Sequence, residues 1–158
     1  MEFFSVNIRK ATITDIKEIK KLLDHYAEKK LLLPRSLSDL YENIRDFFVA
    51  QDDSTIVGCV ALHIVWEDLA EIRSLAVAEE RHNQKIGSLL LEAALKEARS
   101  MGVKKVFSLT YTPLFFERFG FKKANKKELP HKIWKDCLNC VQFPDCSEEA
   151  MIKELNGE

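Results

Sequence analysis

No apolar run in this chain approaches the ~18 residues needed to cross a bilayer, so no membrane role is expected. The start, Met1-Glu2-Phe3-Phe4-Ser5, lacks the basic n-region and apolar stretch of a secretory signal. These two absences predict a cytoplasmic protein. An excess of positive charge is missing as well. The net charge is −1, and phosphate-rich partners demand surplus Lys and Arg, so nucleic acid is not the expected partner. Lys122 to Lys135 is locally basic, with lysines outnumbering Glu128. It reads as a solvated face, with attraction of an anionic substrate or cofactor left open. No repeat, low-complexity tract or linker divides the sequence. Its 158 residues therefore suit one domain over 1–158, since domains most often run to ~100–150 residues. With 46% hydrophobic residues the chain can fill a core.

Disulfides are not expected either, because the cysteines of a cytosolic chain stay reduced. Cys137-x-x-Cys140, with Cys146 and His131 nearby, has the ligand types of a structural zinc site. A single pair with no second pair following is weak, and no metal is expected. Cys59 sits in a strand-like run and reads as core.

The elements that are present follow from periodicity. Val6 to Arg9 alternates and predicts a short strand. Asp15 with Glu18 three residues on reads as a capping box, opening a helix whose stripe is Ile16, Ile19, Leu22, Leu23 and Tyr26. Pro34 interrupts the helical pattern. Ser36 or Ser38 caps a second helix carrying Leu37, Leu40, Tyr41 and Ile44. Phe47 to Ala50, Thr55 to Trp66 and Ala70 to Val77 are rich in apolar and β-branched residues and predict strands, the last two as an antiparallel hairpin. Gly87 to Met101 is the clearest helix, with Leu90, Leu91, Ala94, Leu95 and Ala98 at helical spacing and Gly102 as the stop. Val103 to Thr110 then completes a strand–helix–strand unit, so its strand should run parallel to the one before the helix. Pro113 to Arg118 is a short helix, and Gly120-Phe121 leads into a further strand. The order implies an α/β or α+β sheet packed by helices.

Two segments carry a family resemblance. Leu75-Ala76-Val77, then His82-Asn83-Gln84-Lys85-Ile86-Gly87 and Ser88 at a helix start, resembles motif A of the GNAT acetyltransferases. The family's loop has Gln or Arg, two residues, Gly, one residue, then Gly or Ala. Here only the last glycine matches, with His82 at the first position and Lys85 at the first glycine. Phe115 to Phe121 resembles motif B. The tail from Leu129 through Cys146, with Leu33-Pro34-Arg35-Ser36 and Asn43 to Phe47, is similar to short stand-alone N-acetylglutamate synthase-like enzymes.

This resemblance implies a GNAT fold: a central mixed twisted sheet flanked by helices, with a splayed parallel strand pair forming an acetyl-CoA cleft. Residues 129–158 would be a cysteine-containing extension packed on it. The implied co-substrate is acetyl-CoA, and the implied partner is a small amino acid, glutamate or glutamine, acetylated on its α-amine in arginine biosynthesis. Homodimerisation is left open. Residues 82–88 would cradle the pyrophosphate on loop amides at a helix N-terminus. Lys85 in place of glycine implies strain or a changed loop path. Leu75, Ala76 and Val77 would pair with the pantetheine arm, and an amide of Leu75 or Val77 would steady the oxyanion. Phe115 and Phe116 would line the cofactor.

Glu71, on the strand facing the acetyl group, is the candidate general base; its rival reading is a surface partner of Arg73, two residues on. Arg35 and Arg73 are candidates for the acceptor carboxylate, since guanidinium forks bind both oxygens. The family often has a tyrosine acid at Phe116, and Tyr111 is the substitute donor. Acetylation of another small amine or a protein lysine, or a non-catalytic acyl-CoA sensor, remains open.

Overall fold

A computed structural model of the chain describes residues 6–82, 84–125 and 149–155. Its elements, in order, are strand β1 (Val6–Lys10), helix α1 (Ile16–Glu28), helix α2 (Leu37–Glu42), strands β2 (Phe47–Asp52), β3 (Thr55–Trp66) and β4 (Leu69–Val77), helix α3 (Ile86–Ser100), strand β5 (Lys105–Thr110), helix α4 (Pro113–Glu117), and strands β6 (Lys122–Ala124) and β7 (Glu149–Glu154). The strands form one mixed sheet in the order β1-β2-β3-β4-β5-β7-β6. Among the described residues no helix is long and apolar enough to cross a membrane. Asn83 and the stretch bearing His131, Cys137, Cys140 and Cys146 lie outside the described residues.

The chain divides into two compact units, 1–63 with 72–97 and 64–71 with 98–158. The core of the first is built by the stripe of α1. Ile16, Ile19 and Leu23 are buried with Leu40 of α2, Phe47 and Val49 of β2, Cys59 and Ala61 of β3, and Ala76 of β4. Alternation along β2 and β3 puts these side chains on one face. Helix α2 is capped by Ser36, whose hydroxyl accepts the Asp39 amide at 3.0 Å; Ser38 is not the cap.

The start of α1 differs from expectation. Asp15 does not head a box with Glu18. It closes a turn begun by Thr12: the Thr12 amide donates to Asp15 Oδ2 at 2.7 Å, and a 3-10 turn over Ile13–Asp15 leads into the helix. Asp15 is turned inward because Arg9 of β1 grips it with Nη1 at 2.8 Å and Nη2 at 3.0 Å. The Arg9 guanidinium, assisted by the Thr12 amide, holds the Asp15 carboxyl below the usual carboxylate range. Folding thus favours the ionised form. The stabilisation is complete above the pKa of an unfolded aspartate and is lost as pH falls through the lowered folded value. Midpoints of urea unfolding measured from about pH 7 down to about pH 2 should therefore fall more steeply for the wild type than for Asp15→Asn. At neutral pH that variant should be less stable by about 2 kcal/mol, because it leaves Arg9 and the Thr12 amide poorly matched.

In the second unit β5 is central. It pairs in parallel with β4 through Leu69↔Lys105, Ala70↔Val106 and Glu71↔Phe107, as a strand–helix–strand connection requires. On its other edge it pairs antiparallel with β7 from Lys105↔Glu154 to Thr110↔Glu149. Strand β6 pairs with the far side of β7. Phe107, Leu69 and Ala150 form the buried nucleus, with Val65, Leu109 and Ile152 packed on it. Residues 149–154, which the sequence marks only as part of a C-terminal extension, form a strand lying between β5 and β6.

Candidate active site

Strand β4 carries most of the predicted residues. Glu71, at 8% exposure, is buried opposite Phe107. The ladder to β5 stops there, although both strands continue. Three residues on, Ser74 takes a left-handed backbone with φ 57°, a conformation that costs an L-residue roughly 1–2 kcal/mol. Such a residue breaks the flat alternation of a strand and re-aims the side chains beyond it. Its carbonyl accepts the Cys59 thiol at 3.4 Å. Burial pushes that thiol up to about 12, so Cys59 is not a nucleophile at neutral pH. Arg73, Leu75 and Val77 are half-buried, and Ala76 is in the core.

After Val77 the chain turns through Glu79–Arg81 to His82 and, past Asn83, reaches Gln84, Lys85 and the first turn of α3. The loop is fastened at its root. The Ala78 amide donates to the Val57 carbonyl at 2.9 Å. The Val77 carbonyl receives the Tyr26 hydroxyl at 2.5 Å and His82 Nε2 at 3.0 Å. The Tyr26 and His82 rings lie nearly parallel, 12° apart. Burial, with Glu79 and Glu80 nearby, raises the Tyr26 hydroxyl above its ordinary pKa, so it stays a donor. Lys29 first, then His25, holds the exposed Glu79 carboxyl down at about 2. His82, in the family's Gln or Arg position, thus packs against Tyr26 and the loop root.

Lys85 has φ 63°, so the strain expected of a non-glycine here is real. Its carbonyl accepts the Leu89 amide at 3.1 Å and opens α3. Ile86 is buried, Gly87 and Ser88 are half-buried, and no acidic residue stands in the first turn. A helix of 15 residues thereby starts with amides that have no partner within the helix, and with the positive end of its dipole, and its first turn carries no carboxylate. Gly58 brings this helix close to the sheet. A Cβ at Gly58 would stand 2.9 Å from Leu90 Cδ1 and 3.2 Å from the Ala76 carbonyl oxygen, so a side chain there would force Leu90 to shift.

Arg35 lies between α1 and α2. Its side chain is 13% exposed, with Nη1 3.6 Å from Asp39, and its carbonyl accepts Lys20 Nζ at 2.7 Å. In the second unit Tyr111 follows β5, half-buried. Thr110 and Thr112 fold the chain around it: the Thr112 amide donates to Thr110 Oγ1 at 2.8 Å, and the two hydroxyls are 3.1 Å apart. Phe116 is buried edge-on against Phe121, with centroids 5.1 Å apart, while Phe115 is half-buried beside Phe116 at 5.3 Å. Phe116 therefore serves as a prop, leaving Phe115 the more accessible ring.

A left-handed break in a strand, followed by a fastened loop and a helix N-terminus without an acidic residue in its first turn, suits an anionic, chain-like ligand. A sequence profile of the acetyltransferase (GNAT) family matches residues 15–121. The chain belongs to that family. It is an acetyltransferase of the GNAT type, with the mixed sheet and parallel strand pair of that fold. It is 43% identical over 94% of its length, and 96% of the relative's, to an uncharacterised N-acetyltransferase of Chlorobaculum tepidum. It is 40% identical to an amino-acid acetyltransferase of Mycobacterium tuberculosis, covering 89% of this chain and 84% of that protein. Among solved structures, the N-acetylglutamate synthase of Neisseria gonorrhoeae, complexed with coenzyme A and N-acetyl-glutamate, superposes with a TM-score of 0.87 at 30% identity. That match covers 98% of this chain but 36% of the longer synthase.

Sequence reasoning misses several residues of this GNAT acetyltransferase. Tyr26 stands in the stripe of α1, and nothing local signals its bond to a carbonyl 51 positions away. Arg81 and Asp52, which pair at 2.8 Å, look like a loop cation and a turn acid. Ser74 carries no signal, because serine within a strand gives no hint of a left-handed backbone.

Proposed function

We propose that this chain transfers the acetyl group of acetyl-CoA to the α-amine of a small amino acid, with glutamate or glutamine as acceptor, in the cytoplasm and as part of arginine biosynthesis. The observation that carries the proposal is the match, over nearly the whole chain, to an N-acetylglutamate synthase holding coenzyme A and N-acetyl-glutamate. The amino-acid acetyltransferase of Mycobacterium tuberculosis adds support, being similar in length to this chain.

In this reading the amides of 84–88 and the α3 N-terminus take the pyrophosphate. Leu75, Ala76 and Val77 take the pantetheine arm; the Val77 carbonyl already accepts the Tyr26 hydroxyl, so its contribution falls to the amide. Phe115 lines the cofactor, propped by Phe116. Arg35 and Arg73 hold the acceptor's carboxylates. Glu71 removes a proton from the acceptor ammonium, and the freed amine attacks the thioester carbon. An amide of Leu75 or Val77 steadies the oxyanion. The C–S bond breaks as the tetrahedral intermediate collapses, the nitrogen gives its second proton to water, and Tyr111 protonates the departing thiolate. No acetyl-enzyme is needed, in keeping with the inert Cys59.

Lys85 at φ 63° and phenylalanine at position 116 favour one second reading, an acyl-CoA sensor without turnover. Thiol release from acetyl-CoA, assayed across glutamate, glutamine and a panel of other amines including a lysine peptide, separates the readings. Release with glutamate or glutamine is expected. Release only with other amines would sink the arginine-pathway assignment, and cofactor binding without any release would establish the sensor.

A further inference from the structure

One ion pair beside the loop has no part in acetyl transfer itself. Arg81 Nη1 stands 2.8 Å from Asp52 Oδ2, and Arg81 Nε donates to Gln84 Oε1 at 2.7 Å. The two charged side chains are 17% and 28% exposed, sheltered enough for the pair to hold one geometry. Asp52 ends β2, and the hairpin tip around it is itself tied down. Gln51 Nε2 donates to the Asp53 carbonyl at 2.5 Å, and Arg9 Nε donates to Gln51 Oε1 at 2.7 Å. The same hairpin supplies the Val57 carbonyl that takes the Ala78 amide. One guanidinium thus bridges a fixed hairpin and the residue just before the strained Lys85.

We propose that Arg81 is a positioning residue that clamps Gln84 to the β2–β3 hairpin, holds Lys85 in its left-handed conformation, and so sets the affinity for the pyrophosphate of acetyl-CoA. The proposal rests on the assignment of residues 84–88 to the pyrophosphate. Its physical basis is that the left-handed region is open to glycine but costly for lysine. Where the family's loop has glycine, the tight path is adopted at little cost. Here a neighbouring contact has to hold it, and Arg81 makes that contact from a fork able to engage two acceptors at once. Released, Lys85 would relax toward negative φ and carry the amides at the start of α3 off their common target.

The test compares two thioesters. Acetyl-CoA carries the pyrophosphate; acetyl-pantetheine ends before it. In Arg81→Gln and Asp52→Asn, KM for acetyl-CoA and Kd for CoA should rise about tenfold, as misplaced binding groups lose their alignment. The kcat at saturation should stay within about twofold, and kcat/KM for acetyl-pantetheine should not change, because no pyrophosphate contact is involved. In a Lys85→Gly background the same Arg81→Gln change should cost less than about threefold, since glycine needs no clamp; the cycle measures that coupling. Equal losses with both thioesters would make the pair merely structural and overturn the clamp. So would an unaltered Kd for CoA, or an equal cost in both backgrounds. Failure of the wild type to bind CoA would overturn the pyrophosphate assignment itself, and the clamp with it.

Discussion

Replacing Glu71 by Gln is expected to lower kcat by about 10²- to 10⁴-fold, the range a positioned proton acceptor contributes. The variant keeps the shape of the side chain and loses only its capacity to take a proton. Its surroundings suit such a test. Glu71 is buried, and it sits at the last paired position of the β4–β5 ladder, opposite Phe107. Among the described residues no buried side-chain nitrogen or oxygen lacks a partner, so Gln at this position inherits a polar environment and the fold should survive. Initial rates of thiol release, with acetyl-CoA and acceptor each varied, give the decisive comparison. A collapse in kcat with KM for acetyl-CoA within about twofold identifies the base. A variant with wild-type kcat would leave Glu71 as a structural partner and return the search to other groups.

The second large effect concerns stability. Phe107→Ala should cost about 3–5 kcal/mol, the usual range for a fully buried phenylalanine cut to alanine. Phe107 is 0% exposed and lies on the strand that joins a parallel ladder on one edge to an antiparallel ladder on the other. Leu69 from β4 and Ala150 from β7 close around it. A domain is stable by only about 5–15 kcal/mol in total, so the loss removes a large share. Urea unfolding followed by circular dichroism would show it as a lower midpoint at an unchanged slope. Phe107→Leu, which refills most of the volume, should recover more than half the loss. An alanine variant within about 1 kcal/mol of wild type would mean that the site collapses to fill the cavity.

The two predictions meet at one rung. Because Phe107 is the partner of Glu71 across the ladder, Phe107→Leu doubles as a control: stability should fall modestly while kcat falls far less than in Glu71→Gln.

Much of this architecture is readable from residue order. The strand expected from Thr55 to Trp66 occupies those same residues, because a long run of β-branched and apolar residues bounded by polar turns leaves little alternative. Helix α3 matches its expected span within one residue at each end, its period being strong and Gly102 adopting φ 84° as a stop. The parallel pairing follows from connectivity alone. The strain at Lys85 is likewise visible, as a lysine standing where the family has glycine.

Other features needed the third dimension. Glu149 to Glu154 reads Glu-Ala-Met-Ile-Lys-Glu, mostly good helix formers, and it is a strand only because β5 and β6 each offer it an edge. Pairing on both sides outweighs a few tenths of a kcal/mol of propensity per residue. Likewise Asp15 does not form the box its spacing with Glu18 suggests, because Arg9 and the Thr12 amide together take its carboxylate. Local order thus determined most of the helices and strands up to Ala124 and which residue types stand in the loop before α3. Only tertiary structure decided that Tyr26 and His82 share one carbonyl, that Arg81 reaches Asp52, and that Ser74 breaks its strand. Those outcomes depend on contacts between residues far apart in the chain, whose energies no window of neighbouring residues contains.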